Sequence, residues 1–126
     1  AIANAKTSTE KLLKLANHFK TNFKNSATRG GCPILNTAVG ADHTHPLLKE
    51  KAGQSFTGWK KNIEAIIKQG IVSKEIKATV NASDFAIHFI ALVEGGMLLA
   101  RSTGNLAMLS TCIGLVENII HMELEI

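Results

Sequence analysis

The chain has 126 residues, of which 45% are apolar, with a formal net charge of +4 and two cysteines. This length predicts one domain with its own core, and two cysteines are too few for a disulfide framework, which favours a reducing compartment. Tyrosine is absent and alternating apolar runs are few, so an all-α fold is expected. The sequence predicts neither a signal peptide nor a membrane span, and therefore indicates a cytoplasmic protein.

The excess of lysine over acidic residues lies in the first two thirds of the chain. These lysines are scattered, and no aromatic residues alternate with a basic cluster. This pattern is typical of solvated helix faces and indicates nucleic-acid binding only weakly.

The first helix is predicted over about residues 10–24, with Ser8 or Thr9 as its N-cap. One side of this helix is apolar and the other is rich in lysine. A loop is expected over residues 25–31, and Pro33 is suited to the first turn of a short second helix.

A long amphipathic helix is predicted to begin at Pro46 and to run to about Gln69. Its apolar residues recur at intervals of three and four, which is the strongest helical periodicity in the chain. Gly70 is expected to end it. A connector follows, and Asn81 or Ser83 is expected to cap the next helix.

The final helix pair, predicted over residues 82–126, organises the rest of the chain. Each helix is apolar around most of its circumference, and Gly104 separates the two. One small domain holds too little other apolar material to cover both, so a second copy of the chain is expected to bury part of the pair. Gly95 and Gly96 are costly inside a helix, which indicates a close helix crossing.

The final helix pair has two other interpretations. The first is a membrane span, but the apolar run has only about 16 residues and contains Glu94, whereas a span requires ~20 apolar residues. The second is that both helices are fully buried in the core of a monomer. The glycines of the pair favour the dimer over this second interpretation.

The six aromatic residues fall on three different amphipathic helices, so they converge if these helices pack together. One interpretation is an ordinary core. The other is an apolar cavity with a few polar groups, where His88 would contact a small molecule. The predicted ligand-binding residues are Phe19, Phe23, Phe56, Trp59, Ile63, Phe85, His88, Phe89 and Leu92.

Reactive side chains are few. Asp42, His43 and His45 could contribute to a metal site, but no further ligands are evident. Cys32 lies at a helix start, where the dipole lowers a thiol pKa, but it lacks a partner base. We therefore predict no metal, no cofactor and no enzymatic activity. The alternatives are a helical redox or metal sensor or enzyme using Cys32 or His43 and His45, and a ligand-free helical interaction module.

Four segments give the chain a family resemblance. They read GGCPILN at 30–36, ADHTHPL at 41–47, FTGW at 56–59 and ALVEGGMLLAR at 91–101. In this order and spacing they resemble the C-terminal regulatory domain of TetR/AcrR-family transcriptional regulators. The resemblance covers nearly the whole chain.

This resemblance implies a helical bundle of about five helices that forms a single effector-binding and dimerisation domain over residues 1–126. The last two helices of each subunit, over 82–126, would build a dimeric four-helix bundle. A helix-turn-helix domain, through which alone DNA would be bound, is absent from this chain, so we expect a piece of a longer protein. The expected dimer-interface residues are Glu94, Gly95, Leu98, Leu109, Ile113, Val116 and Ile120.

The function that the resemblance implies is control of transcription by a homodimer. A small apolar or aromatic effector in the cavity would favour one arrangement of the helices and release a repressor from DNA.

Overall fold

The structure is a computed structural model that describes residues 5–28 and 46–126. The described residues form four helices, which confirms the all-α class. The short helix predicted after Pro33 lies outside them. The helices are α1 (Ser8–Thr28), α2 (Pro46–Val72), α3 (Ala82–Thr103) and α4 (Ala107–Ile119), and α4 continues into a π-helical turn at Ile120–Leu124.

The start of α1 is capped one residue earlier than expected. Thr7 Oγ1 accepts a hydrogen bond from the amide of Glu10 at 3.2 Å, and Glu10 Oε2 accepts one from the amide of Lys6 at 2.9 Å. The first bond satisfies a donor that the first helical turn leaves without a partner, and the second joins the Glu10 side chain to the segment before the helix. Ser8, predicted as the N-cap, is instead the first residue of the helix.

Gly70 does not end α2, which continues to Val72. The chain reverses at Lys74, whose φ of 64° lies in the left-handed region. Gly70 has a different role, because a Cβ atom at this position would lie 2.5 Å from Cδ1 of Ile76 and 2.8 Å from Cβ of Ser8. The missing side chain therefore lets the connector and the start of α1 pack directly on α2.

Glu75 joins three parts of the chain. Its Oε2 accepts a hydrogen bond from the amide of Ser8 at 2.8 Å, and its Oε1 accepts one from Ser73 Oγ at 2.7 Å. Its carbonyl accepts one from the amide of Ile126 at 3.2 Å, next to an antiparallel bridge between Ile76 and Glu125. The connector therefore holds the start of α1 and the last residues of the chain together.

Helix α3 begins and ends as the sequence predicts. Asn81 Oδ1 accepts a hydrogen bond from the amide of Asp84 at 3.0 Å, and Gly104 ends the helix with a φ of 68°. The left-handed conformation at Gly104 is easily reached without a side chain. Helix α4 then packs antiparallel to α3.

The core is built by one face of each helix. Leu12 of α1, Ile63 and Ile67 of α2 and Phe89 of α3 are completely buried. The core row of α4 is buried with them, and it continues to Leu124 in the π-helical turn. The members of this row are Leu109, Ile113, Val116, Ile120 and Leu124.

Replacement of Gly70 by alanine is expected to lower the free energy of unfolding by about 1–3 kcal/mol, because the new methyl group overpacks against Ile76 and Ser8. The matched control is Gly58→Ala in the same helix, where no atom lies within 4 Å of the new Cβ. This control is expected to gain about 1 kcal/mol from helix propensity alone. Urea denaturation measures both changes, and equal effects at the two positions would contradict the packing role of Gly70.

Glu64 provides a pH-dependent contribution to stability. Its Oε1 accepts a hydrogen bond from Lys60 Nζ at 2.8 Å, and this bond, aided by the charges of Lys60 and Lys68, holds the pKa of Glu64 below its ordinary value of 4.5. The carboxylate therefore stabilises the fold above pH 4.5, and this contribution disappears as the pH falls through the lowered pKa. Because the pair is near the surface, the effect is small.

We expect Glu64→Gln to lower the melting temperature at neutral pH and to match the unsubstituted protein in strong acid. Thermal melts across this pH range measure the difference. In a Lys60→Met background, where the main partner is missing, the Glu64→Gln effect should shrink. An effect of Glu64→Gln that is the same at every pH would contradict the assignment.

Candidate functional site

The predicted aromatic residues meet at the junction of α1, α2 and α3. The ring of Trp59 lies 5.1 Å from that of Phe19, 6.5 Å from that of Phe56 and 6.3 Å from that of Phe89, measured between ring centroids. The Phe89 ring lies 6.1 Å from that of Phe85. These distances are typical of aromatic pairs in contact. The convergence that the helical spacing predicts for six aromatic residues is thus observed for five of them, and we call these five side chains the aromatic cluster.

The predicted ligand-binding residues differ in how they are placed. Ile63 and Phe89 are completely buried, whereas Phe19, Phe56 and Trp59 are half-buried. Leu92 is also half-buried and packs against the core. The half-buried rings form the part of the cluster that a small molecule could reach first.

Two other predicted ligand-binding residues, Phe23 and His88, are not among the five rings of the aromatic cluster. The side chain of Phe23 lies outside the described residues. His88 is exposed and lines a cavity between the start of α3 and the end of α4. Phe85 belongs to both places, since it contacts Phe89 and also lines this cavity.

This cavity is a cleft between the start of α3 and the end of α4, with a volume of about 270 Å³. The sequence did not predict it, because its walls come from segments up to 45 residues apart. Only Phe85 and His88 among the predicted ligand-binding residues take part. The cleft is lined by Thr79, Val80, Asn81, Asp84, Phe85, His88, Ile119, Glu123 and Leu124.

A stripe of exposed apolar side chains runs along α3 and α4. On α3, Ile87, Ala91, Gly95 and Leu98 recur at intervals of four and three, which places them on one side of the helix. This side is opposite the buried apolar residues of α3, and the exposed row of α4 likewise lies opposite its core row. We call this surface the outer face. Its large side chains, each about half exposed or more, are Ile87, Leu98, Leu99, Leu115 and Met122.

The structure corrects most of the predicted dimer-interface residues. Five of the seven lie inside the subunit, because α4 carries two apolar rows and the row chosen from the sequence faces the subunit's own core. Gly95 and Leu98 lie on the outer face. The five buried residues are Glu94, Leu109, Ile113, Val116 and Ile120.

The two adjacent glycines of α3 have different surroundings. A Cβ atom at Gly96 would lie 3.0 Å from the side chains of Leu109 and Cys112, so Gly96 permits the close crossing of α3 and α4 within one subunit. At Gly95 nothing lies within 4 Å of such an atom. The expected close crossing is therefore intramolecular at Gly96, whereas Gly95 leaves an open notch in the outer face.

The residues considered for metal or redox chemistry lie outside the described part of the chain. They are Cys32, Asp42, His43 and His45. Within residues 5–28 and 46–126, no three side chains of the metal-binding types are grouped in a way that could hold a metal ion. Cys112 is a half-buried thiol at the crossing of α3 and α4.

By length and hydropathy alone, α3 and the segment Ala107–Leu124 could each cross a membrane. Core helices of soluble proteins have the same composition, and both segments contribute buried residues to this core. Glu94 is also buried in the middle of α3. The apolar character of these segments is therefore accounted for by the core and the outer face.

Comparison with known proteins identifies the fold. Residues 8–115 match the family described as tetracyclin repressor-like, C-terminal domain. The chain belongs to this family. The predicted resemblance to TetR-family regulators is therefore confirmed over most of the chain. A search of curated proteins gave no match.

Two solved structures of TetR-family proteins are similar along nearly the whole chain. A TetR transcriptional regulator from Chloroflexus aurantiacus is 29% identical, with a TM-score of 0.90, over 99% of this chain and 63% of that protein. A TetR-family transcriptional regulator from Cytophaga hutchinsonii is 36% identical, with a TM-score of 0.85, over 99% of this chain and 62% of that protein. This chain thus spans a little over three fifths of the length of each of these TetR-family proteins.

Proposed function

We propose that residues 1–126 act as the effector-sensing and dimerisation domain of a cytoplasmic transcriptional repressor. The domain forms a homodimer, binds a small apolar or aromatic molecule, and transmits that binding to a DNA-binding helix-turn-helix domain of the same protein. Two features of this structure support the proposal, namely the outer face and the aromatic cluster. The outer face is the observation that carries it.

The outer face has the composition of a surface that another protein covers. Its large apolar side chains lie on two neighbouring helices and are each about half exposed or more, and large exposed apolar patches typically mark interaction sites. A second copy related by a two-fold axis would place the same stripe against it, so that α3 and α4 of both subunits form a four-helix bundle. The notch at Gly95 would allow a close approach of the partner's backbone.

The aromatic cluster is suited to sensing a small molecule because three helices contribute to it. Phe19 belongs to α1, Trp59 to α2 and Phe89 to α3, and their rings are in contact. An apolar molecule that enters between the half-buried rings of Phe19 and Trp59 would change the packing of α1 against α2. Sites for such molecules are typically apolar and aromatic with few polar groups.

Coupling between the two features would pass through α3, which carries Phe89 on one side and the outer face on the other. A ligand that binds one arrangement of α1, α2 and α3 more tightly shifts the population toward that arrangement. In a dimer joined by α3 and α4, a shift of α1 changes the separation of the segments that precede it. A change of this separation alters the fit of two DNA-binding domains to two half-sites.

The dimer proposal predicts that Leu98→Lys and Leu115→Lys each raise the dimer dissociation constant by about hundredfold, because the two-fold axis places each new charge in the apolar interface twice. Light scattering at micromolar concentration should show a dimer for the unsubstituted chain. The matched control is Val72→Lys, at a position that is also exposed and apolar but lies on α2, away from the outer face.

Gly95→Leu tests the same interface by size rather than by charge, since its new side chain meets nothing inside the subunit. It should weaken the dimer without unfolding the monomer. A monomeric unsubstituted chain, or a dimer that tolerates all three substitutions on the outer face, would contradict the proposed assembly.

The effector proposal predicts a saturable change of Trp59 fluorescence when an aromatic hydrocarbon or phenol binds, since Trp59 is the only tryptophan and lies in the cluster. Phe19→Leu should weaken this binding up to about tenfold, which corresponds to the ~0.5–1.5 kcal/mol of one aromatic contact. Native mass spectrometry tests for a small molecule that co-purifies. Binding that Phe19→Leu leaves unchanged would place the effector elsewhere.

A further inference from the structure

The cleft at the ends of α3 and α4 has an apolar floor and an acidic rim. Phe85 and Leu124, both almost completely buried, form the floor together with the half-buried Ile119. Asp84 and Glu123, both exposed, approach the opening from different helices. Five of the nine lining residues are polar, so the cleft presents hydrogen-bonding and charged groups around an apolar floor.

The two rim carboxylates are available to a ligand. Within the described part of the chain, neither Asp84 nor Glu123 forms an ion pair, and neither lysine nor arginine lines the cleft. The nearby ammonium group of Lys77 donates instead to the carbonyl of Met122 at 3.3 Å. Glu125, close in sequence to Glu123, is already paired with His121 at 3.1 Å. The rim therefore carries negative charge without a fixed counterion.

The helix dipole acts in opposite ways on the two carboxylates. Asp84 lies in the first turn of α3, where a negative charge is stabilised by the helix dipole. Glu123 lies at the end of α4, where the dipole disfavours a negative charge and favours a cation. The helix dipole thus accounts for Asp84 but not for Glu123, and a positive ligand beside Glu123 would be stabilised by both the carboxylate and the helix end.

We propose that this cleft binds a small organic cation, namely an amine with an apolar body. The ammonium group lies between Asp84 and Glu123, and the apolar body rests on Phe85 and Leu124. His88, at the rim one turn after Asp84, provides a further hydrogen-bonding group. The volume of about 270 Å³ limits the ligand to the size of a single ring with a short side chain.

This cleft shares only one residue, Phe85, with the aromatic cluster. The ligand would connect the start of α3 to the end of α4, which are the two helices of the outer face. The proposal therefore adds a second ligand class to the domain, and it does not depend on the identity of the apolar effector.

Isothermal titration calorimetry of the full chain with phenethylamine tests the charge requirement. Phenethyl alcohol and phenylpropionate carry the same ring with a neutral and an anionic head group. The amine should bind saturably, and its affinity should fall at least tenfold when Asp84→Asn and Glu123→Gln are combined. Any binding of the alcohol or the anion, which the aromatic cluster can also take, should be unaffected by this double variant. An equal loss for the alcohol, or no saturable binding of the amine at millimolar concentration, would overturn the proposal.

Substitutions then locate the site. Asp84→Asn and Glu123→Gln should each weaken phenethylamine binding about tenfold, whereas Glu117→Gln, on α4 but outside the cleft, should leave it unchanged. Circular dichroism melts confirm that each variant is folded. In a Phe19→Leu background, which alters the aromatic cluster, the loss of amine binding caused by Asp84→Asn and Glu123→Gln should keep its size, which separates the two sites. Unchanged affinity in both rim variants, or a loss in Phe19→Leu alone, would refute the placement.

Discussion

The close crossing of α3 and α4 at Gly96 determines how the apolar surface of the domain is divided. Because no side chain separates the helices there, Leu109 and Cys112 of α4 pack directly against the backbone of α3. This contact fixes the rotation of both helices about their axes. One row of each helix is then turned into the core, and the other is left outside. The absence of a side chain at Gly96, on the buried side of α3, thus helps to determine which residues form the outer face.

The sequence predicted the helices well because their signals are local. Periodic apolar residues, the cap at Asn81 and the stop at Gly104 all act within a few residues of their position. Gly70 was misread because a glycine after an apolar run resembles a helix end when only the local sequence is considered. Its actual role depends on Ile76 and Ser8, and the latter is distant in sequence. Such a contact becomes visible only when the fold brings the segments together.

The sites were likewise predictable only where their signals are local in the sequence. Convergence of the aromatic rings followed from helical spacing, so the cluster around Trp59 was predictable. Helix α4, however, carries two apolar rows, and spacing alone cannot show which row faces inward. The row through Ile113 was assigned to the dimer, whereas the structure leaves Leu115 and Met122 exposed. The cleft beside Asp84 combines distant segments and has no local sequence signature.

The hydrogen bonds of Glu75 have a consequence for the order in which the domain forms. Helix α1 leaves the ribosome before α2, α3 and α4, yet the carboxylate that holds Ser8 emerges 67 residues after it. The carbonyl of Glu75 in turn pairs with Ile126, at the other extreme of the described chain. Contacts of such long sequence separation slow folding, since a large loop must close before they form. The nascent chain therefore cannot complete its core until synthesis has reached the final helix.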